Sequence, residues 1–129
     1  METPAFDAWI SGLDFAHWSE GRHQIRAPEF LQRRLAEGAV LLDVRDDQEA
    51  ALLQLPFALH IPIQELPRRF EEVPADRLVA TFCSGEARAA VAYAYLQVKG
   101  RRNVRVLLGG YADLTEALTP GKIRKRRET

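Results

Sequence analysis

Between residues 23 and 118 the chain alternates short apolar runs with segments of helical spacing, and this alternation constrains the fold more than any other feature. Ala39-Val-Leu-Leu-Asp-Val44 and Leu78-Val-Ala-Thr-Phe82 are apolar runs of strand length, fit for strands buried on both faces. Val104–Leu108 reads as another strand, His23-Gln-Ile25 as a short first one, and Phe57–Ile61 as a brief one among Pro56, Pro62, Pro67 and Pro74. The helical segments lie between them. Pro28 to Ala36 has Pro in its first turn, Phe30, Leu31 and Leu35 on one face, and Gly38 as its stop. Asp46 to Leu53 begins on an Asp cap, and Gln64–Glu72 forms one further helix. Glu86 to Lys99 sets Ala87, Val91, Tyr95 and Val98 at helical spacing before Gly100, and Tyr111–Leu118 follows a Gly109-Gly110 turn. Strands separated by helices within so few residues require crossover connections. The expected fold is a small three-layer α/β/α domain with a mostly parallel central sheet.

Composition narrows the chemistry. A chain of 129 residues, 47% apolar and 28% charged, supports one domain with one core. The single cysteine forms no internal disulfide and no CxxC pair, and His17, His23 and His60 are too scattered to complete a cysteine-based zinc finger. No apolar run approaches the roughly 18–20 residues that cross a bilayer. The start, Met1-Glu-Thr-Pro-Ala-Phe-Asp7, is acidic where a signal peptide would be basic, which points to the cytoplasm.

The 18 basic and 18 acidic side chains cancel, but they are not evenly laid out. Residues 1–20 hold Glu2, Asp7, Asp14 and Glu20 with no Lys or Arg, while Lys122, Arg124, Lys125, Arg126 and Arg127 crowd the end. This divides the chain into an aromatic, acidic extension over 1–22, a domain over 23–118 and a basic tail over 119–129. Phe6, Trp9, Ile10 and Leu13, continued irregularly by Phe15 and Trp18, fit a lid, a partner-docking helix or a segment packed on its own domain. The tail suits an acidic partner, an anionic membrane surface or a plain solubilising terminus. At zero net charge it makes no case for a nucleic-acid partner.

The segment richest in chemistry is Phe82-Cys83-Ser84-Gly85-Glu86-Ala87-Arg88. Cys83 stands where a buried strand ends and a long helix is about to begin, and ligand sites in open α/β sheets gather at such strand ends. A tight loop there turns backbone N–H groups inward as an anion nest, and the helix N-terminus adds partial positive charge. A thiol so placed is expected to be reactive as the thiolate. Ser84 and Gly85 are small enough to let the backbone curl around the sulfur. The competing reading of a lone Cys is an inert buried one.

Four segments in order resemble the rhodanese family of sulfurtransferases over about residues 23–118. Leu41-Leu-Asp43-Val44-Arg45 resembles the family's strand ending in Asp-Val-Arg, followed by an acidic helix with Glu49. Leu55-Pro-Phe-Ala-Leu-His60-Ile-Pro62 falls at its His-Ile-Pro-Gly-Ala segment, Cys83 to Arg88 matches its six-residue active loop, and Val104 to Gly110 its last strand and Gly-Gly turn. The resemblance implies that Cys83 takes a sulfane sulfur from thiosulfate or a persulfide donor, becomes a persulfide held by the amides of about residues 84–88, and passes the sulfur to a thiol, cyanide or a protein acceptor, with no metal or organic cofactor needed. It implies that Ser84, Gly85, Glu86, Ala87 and Arg88 bind the small anionic substrate, with Arg88 either steering it or pairing to hold the loop. Asp43 and Arg45 support the site as a pair, His60 is a strand residue, and Gly109 and Gly110 serve backbone geometry.

The chain departs from the family pattern at Ala50, Gln54, Leu55 and Leu114, and above all at Glu86, where the loop often has Gly. A carboxylate on the rim of an anion nest repels thiosulfate and favours a persulfide donor; pairing with Arg88 or turning to solvent would cancel that effect. Two alternatives stand beside a sulfurtransferase. One is a non-catalytic rhodanese-like interaction module. The other is a Cys-dependent phosphatase or arsenate reductase, whose loop has five residues between Cys and Arg where this chain has four.

Overall fold

The computed structural model describes residues 21–119. The aromatic head and the basic tail lie outside the described residues. Five strands form one sheet, β1 (Gln24–Ile25), β2 (Val40–Asp43), β3 (Leu59–His60), β4 (Val79–Phe82) and β5 (Val104–Leu107), in the order β1-β5-β4-β2-β3. Every pairing is parallel. The helices are α1 (Ala27–Glu37), α2 (Asp47–Leu52), α3 (Leu66–Arg69), α4 (Ala87–Val98) and α5 (Gly110–Ala117).

Strand alternation divides the core between two faces. On one, Leu42, Val44, Val79, Cys83, Val104 and Val106 pack with Ala89, Ala92, Tyr93 and Leu96 of α4 and with Leu66 of α3. On the other, Leu41, Ala80, Phe82 and Leu107 pack with Ala27 and Phe30 of α1 and Leu114 of α5. The three-layer architecture is therefore the expected one. Thr81, the buried polar residue of β4, donates its hydroxyl to the Ala89 carbonyl at 2.8 Å and ties α4 to the strand before it.

Three local expectations are corrected. The segment over 64–72 is not one helix: a 3-10 turn at Ile63–Glu65, the four-residue α3 and a second 3-10 turn at Phe70–Glu72 replace it. Pro67 has no N–H to extend a helix running from Ile63, so regular structure restarts around it. Leu35 is 90% exposed and does not join Phe30 inside. Of the apolar spacing read on α4, Tyr95 packs partly against the core, but Ala87, Val91 and Val98 lie outside, Val91 and Val98 at 59% and 45% exposed, whereas Ala89, Ala92, Tyr93 and Leu96 turn inward. That helix is apolar nearly all round, so spacing alone does not choose a face.

The two faces of α4 differ enough to measure. Leu96→Ala is expected to cost about 2–5 kcal/mol in denaturant unfolding, as for other buried leucines, and Val91→Ser no more than about 0.5 kcal/mol. Equal costs would mean the helix is seated differently.

Candidate active site

Chain order turns back at the middle of the sheet. The chain leaves β2 toward β3 on one side and leaves β4 toward β5 on the other, so the carboxyl ends of β2 and β4 flank the crevice where α/β folds place ligands. Asp43-Val44-Arg45 ends β2 and Cys83 follows β4 at this point. The register pairs Asp43 with Phe82 across the two strands, which sets the two segments side by side.

Asp43 and Arg45 form a buried ion pair. Arg45 Nη2 lies 2.7 Å from Asp43 Oδ2 and Nε lies 2.9 Å from Oδ1, while the Arg45 N–H donates to Oδ1 at 3.1 Å. Both side chains are only 3% exposed. The guanidinium reaches on to the carbonyls of Leu53 at 2.9 Å and Glu49 at 3.4 Å, and it stacks 5.1 Å above the Phe82 ring. His60 Nε2 lies 2.8 Å from the Arg45 carbonyl, and since a carbonyl only accepts, Nε2 carries the proton. The strand end, α2 and the residue before Cys83 are thus fixed by one guanidinium.

Helix α2 begins on a reciprocal cap. Asp46 Oδ1 accepts from the Glu49 N–H at 2.9 Å, and Glu49 Oε1 accepts from the Asp46 N–H at 3.1 Å. The same Glu49 carboxylate takes both terminal nitrogens of Arg88, at 2.6 and 2.8 Å. Arg88 and, to a smaller degree, the Asp46 N–H pull the Glu49 carboxyl from 4.5 down to about 2. Arg88 is held above its ordinary value, first by Glu49 and further by the nearby Cys83 sulfur. Arg88 also donates to Ser84 Oγ at 3.1 Å, across the mouth of the loop.

Cys83 is 2% exposed and its side chain lies on the α4 side, in the cluster with Ala89, Ala92 and Tyr93. Ser84 and Gly85 beyond it are exposed. Among the described residues, no acceptor takes the backbone N–H groups of residues 84–89. They comprise the loop amides and the first amides of α4, which point out of a helix N-terminus, and the macrodipole gives that end about half a positive charge. A buried cysteine and a row of donors without acceptors among the described residues therefore follow one another at one strand end. The arrangement suits an anion centred near the sulfur.

The far side of the loop rests on the start of α5. Tyr111 N–H donates to the Ser84 carbonyl at 3.1 Å, and Gly109 N–H donates to Glu86 Oε2 at 2.7 Å. Glu86 therefore neither pairs with Arg88 nor points free to solvent, the two alternatives left open by the sequence; it accepts from the N-terminus of another helix. A Cβ at Gly110, where φ is +54°, would sit 2.2 Å from the Gly85 carbonyl oxygen and 2.8 Å from that of Ser84. Gly85 itself has no positive φ and open space around it, so the glycine freedom this loop depends on resides in Gly110.

The structure brings together Asp43, Arg45 and the whole of 83–88. Sequence reasoning did not place Glu49 at the loop, nor the Tyr111 N–H. Glu49 and Arg88 are 39 positions apart and no local spacing links them; only the Asp46-x-x-Glu49 capping pattern announces that this carboxylate is held in place. Among the described residues, no group of three or more His, Cys, Asp or Glu side chains is placed to hold a metal, and no helix is long and apolar enough to cross a membrane.

The model of the rhodanese-like domain matches residues 27–117. A sulfurtransferase of Allochromatium vinosum is 40% identical over 84 residues, covering 64% of this chain and 78% of that protein. The solved human single-domain sulfurtransferase is 32% identical with a TM-score of 0.56, covering 72% of this chain and 95% of its own. A rhodanese-related protein from Thermoplasma volcanium is 26% identical with a TM-score of 0.64, over 72% and 90%. Several other curated relatives are longer, and the chain spans 27% to 42% of their length.

Two outcomes follow from this geometry. Gly110→Ala is expected to lower stability by about 1–3 kcal/mol, through backbone strain and the clash with Gly85, while Gly85→Ala stays within about 0.5 kcal/mol; paired unfolding curves decide. The lowered Glu49 carboxyl makes its ion pair fully stabilising above pH 4.5 and progressively lost as pH falls toward 2. The stability gap between wild type and Glu49→Gln should be constant above that window and shrink within it. A gap that does not change with pH would contradict the pairing.

Proposed function

The chain belongs to the rhodanese-like family, and we propose that it moves a sulfane sulfur from thiosulfate or a persulfide donor to a thiol or cyanide acceptor through a Cys83 persulfide. The observation that carries this reading is the place of Cys83 at the carboxyl end of β4, directly before a run of N–H groups over residues 84–89 that have no acceptor among the described residues. The sulfurtransferases among its relatives support the same class of reaction.

The chemistry is nucleophilic catalysis in two displacements. With thiosulfate, the Cys83 thiolate attacks the outer sulfur, the S–S bond of the donor breaks, and sulfite leaves with the bonding electron pair. Cys83 then carries a terminal sulfur with one negative charge. The loop amides donate to that sulfur and spread the charge, as an oxyanion hole does for oxygen. An acceptor thiolate next attacks the terminal sulfur, leaves as its own persulfide and returns Cys83 to the thiolate. Arg88, fixed by Glu49, holds Ser84 and with it the curvature of the loop. Asp43 and Arg45 act further back, as the support on which α2 and the Phe82–Cys83 junction rest. The reaction as written uses no redox cofactor, because the sulfur is transferred and the thiol is regenerated.

Incubation with thiosulfate or a persulfide donor followed by intact mass measurement should show wild type gaining one sulfur atom and Cys83→Ser gaining none. Subsequent cyanide should remove the added mass and release thiocyanate. Equal sulfur uptake by Cys83→Ser, or none by wild type with any donor, would overturn the reading.

A further inference from the structure

We infer that the Cys83 loop discriminates against dianionic sulfane donors, so that its donor is the persulfide of an organic thiol and not thiosulfate, and that the Glu49 and Glu86 carboxylates together set this choice. The inference rests on the sulfurtransferase reading above.

Arg88 is the only side-chain cation in the loop over 83–88. Both of its terminal nitrogens face the Glu49 carboxylate, at 2.6 and 2.8 Å, and its remaining contact is to Ser84 Oγ. Glu49 has little freedom to withdraw. Its carboxylate and its N–H are both engaged with Asp46, and its carbonyl accepts from the buried Arg45. Arg45 is in turn matched by Asp43. Among the described residues, three further carboxylates stand by the loop and its walls: Glu86 on the Gly109 N–H, Asp113 beside Gly109, and Asp46, whose charge reaches Arg88 from the start of α2. The positive potential that remains comes from backbone amides and the α4 N-terminus, which together suit the single charge of one terminal sulfur.

Thiosulfate has two negative charges and brings its sulfonate among these carboxylates. A unit charge about 7 Å from a dianion in a water-like medium changes binding by roughly tenfold. An organic persulfide, RS–SH, has at most one negative charge. Its R group has apolar surface available on Tyr111, which is 40% exposed and whose N–H is bonded to the Ser84 carbonyl. The step balances: the Cys83 thiolate attacks the outer sulfur of RS–SH, RS⁻ leaves with the electrons of the S–S bond, and the proton stays on the new Cys83 S–SH.

The test compares thiosulfate with 2-hydroxyethyl persulfide on the full chain, with cyanide as the common acceptor, reading kcat/KM for each donor. Wild type should prefer the persulfide. Glu49→Gln, which releases the Arg88 charge, should raise the ratio of thiosulfate to persulfide kcat/KM by about tenfold. Glu86→Gln keeps an oxygen for the Gly109 N–H and should move the ratio the same way. It carries the test if Glu49→Gln does not fold. Added salt should narrow the preference of wild type, since screening weakens the repulsion. A wild type that uses thiosulfate at least as well, or variants that change both donors equally, would overturn the donor assignment while leaving sulfur transfer standing. Failure of both donors to sulfurate Cys83 would remove the reading itself and this inference with it.

Discussion

The Asp43–Arg45 ion pair is the constraint from which the rest of the crevice follows. Removing two charges from water is costly, and a pair this buried survives only because its hydrogen bonds are complete. Here the carboxylate takes three of them from one residue, and the guanidinium uses its other donors on the carbonyls of Glu49 and Leu53. The backbone of α2 is thereby fixed to the end of β2, although α2 buries no residue of its own. A short helix without a core face gets its position from polar contacts instead of hydrophobic ones.

Everything nearer the sulfur is hung from that support. Glu49 is aimed by α2, Arg88 is aimed by Glu49, and Ser84 by Arg88, a chain of charge-assisted hydrogen bonds running from a buried pair to an exposed loop. The opposite wall is built of backbone. Gly109, Gly110 and Tyr111 press against Ser84, Gly85 and Glu86 through two hydrogen bonds and one contact that tolerates no side chain. Between the walls the amides of 84–89 have no acceptor among the described residues. Such donors are normally satisfied, and a row of them open at one strand end suits an anion.

The sequence made the framework legible because strand-length apolar runs, the Asp46 cap and the glycine stops are local signals. Gly38 ends α1 in the left-handed conformation, and Asp46 caps α2 as read. Cys83 could be placed at a strand end for the same reason. What stayed hidden depends on partners distant in the chain. Val91 and Leu96 are both apolar residues of α4, and only the docking against β4 and β5 decides which is inside. Glu86 was legible as a carboxylate on a loop, but its bond to Gly109 requires knowing that β5 lies beside β4. Gly110 is legible only as backbone geometry; that any Cβ there would clash with the Gly85 carbonyl is a fact of tertiary packing.

The outer strands of the sheet have a consequence of their own. Among the described residues β1 and β3 form its two margins, and each is two residues long. Unpaired strand margins are where one chain recruits the backbone of another, and the hazard grows with the length of the exposed ladder. A margin of two residues exposes too short a ladder to template such pairing. A parallel, strongly apolar sheet with margins this short offers little as a seed for lateral growth.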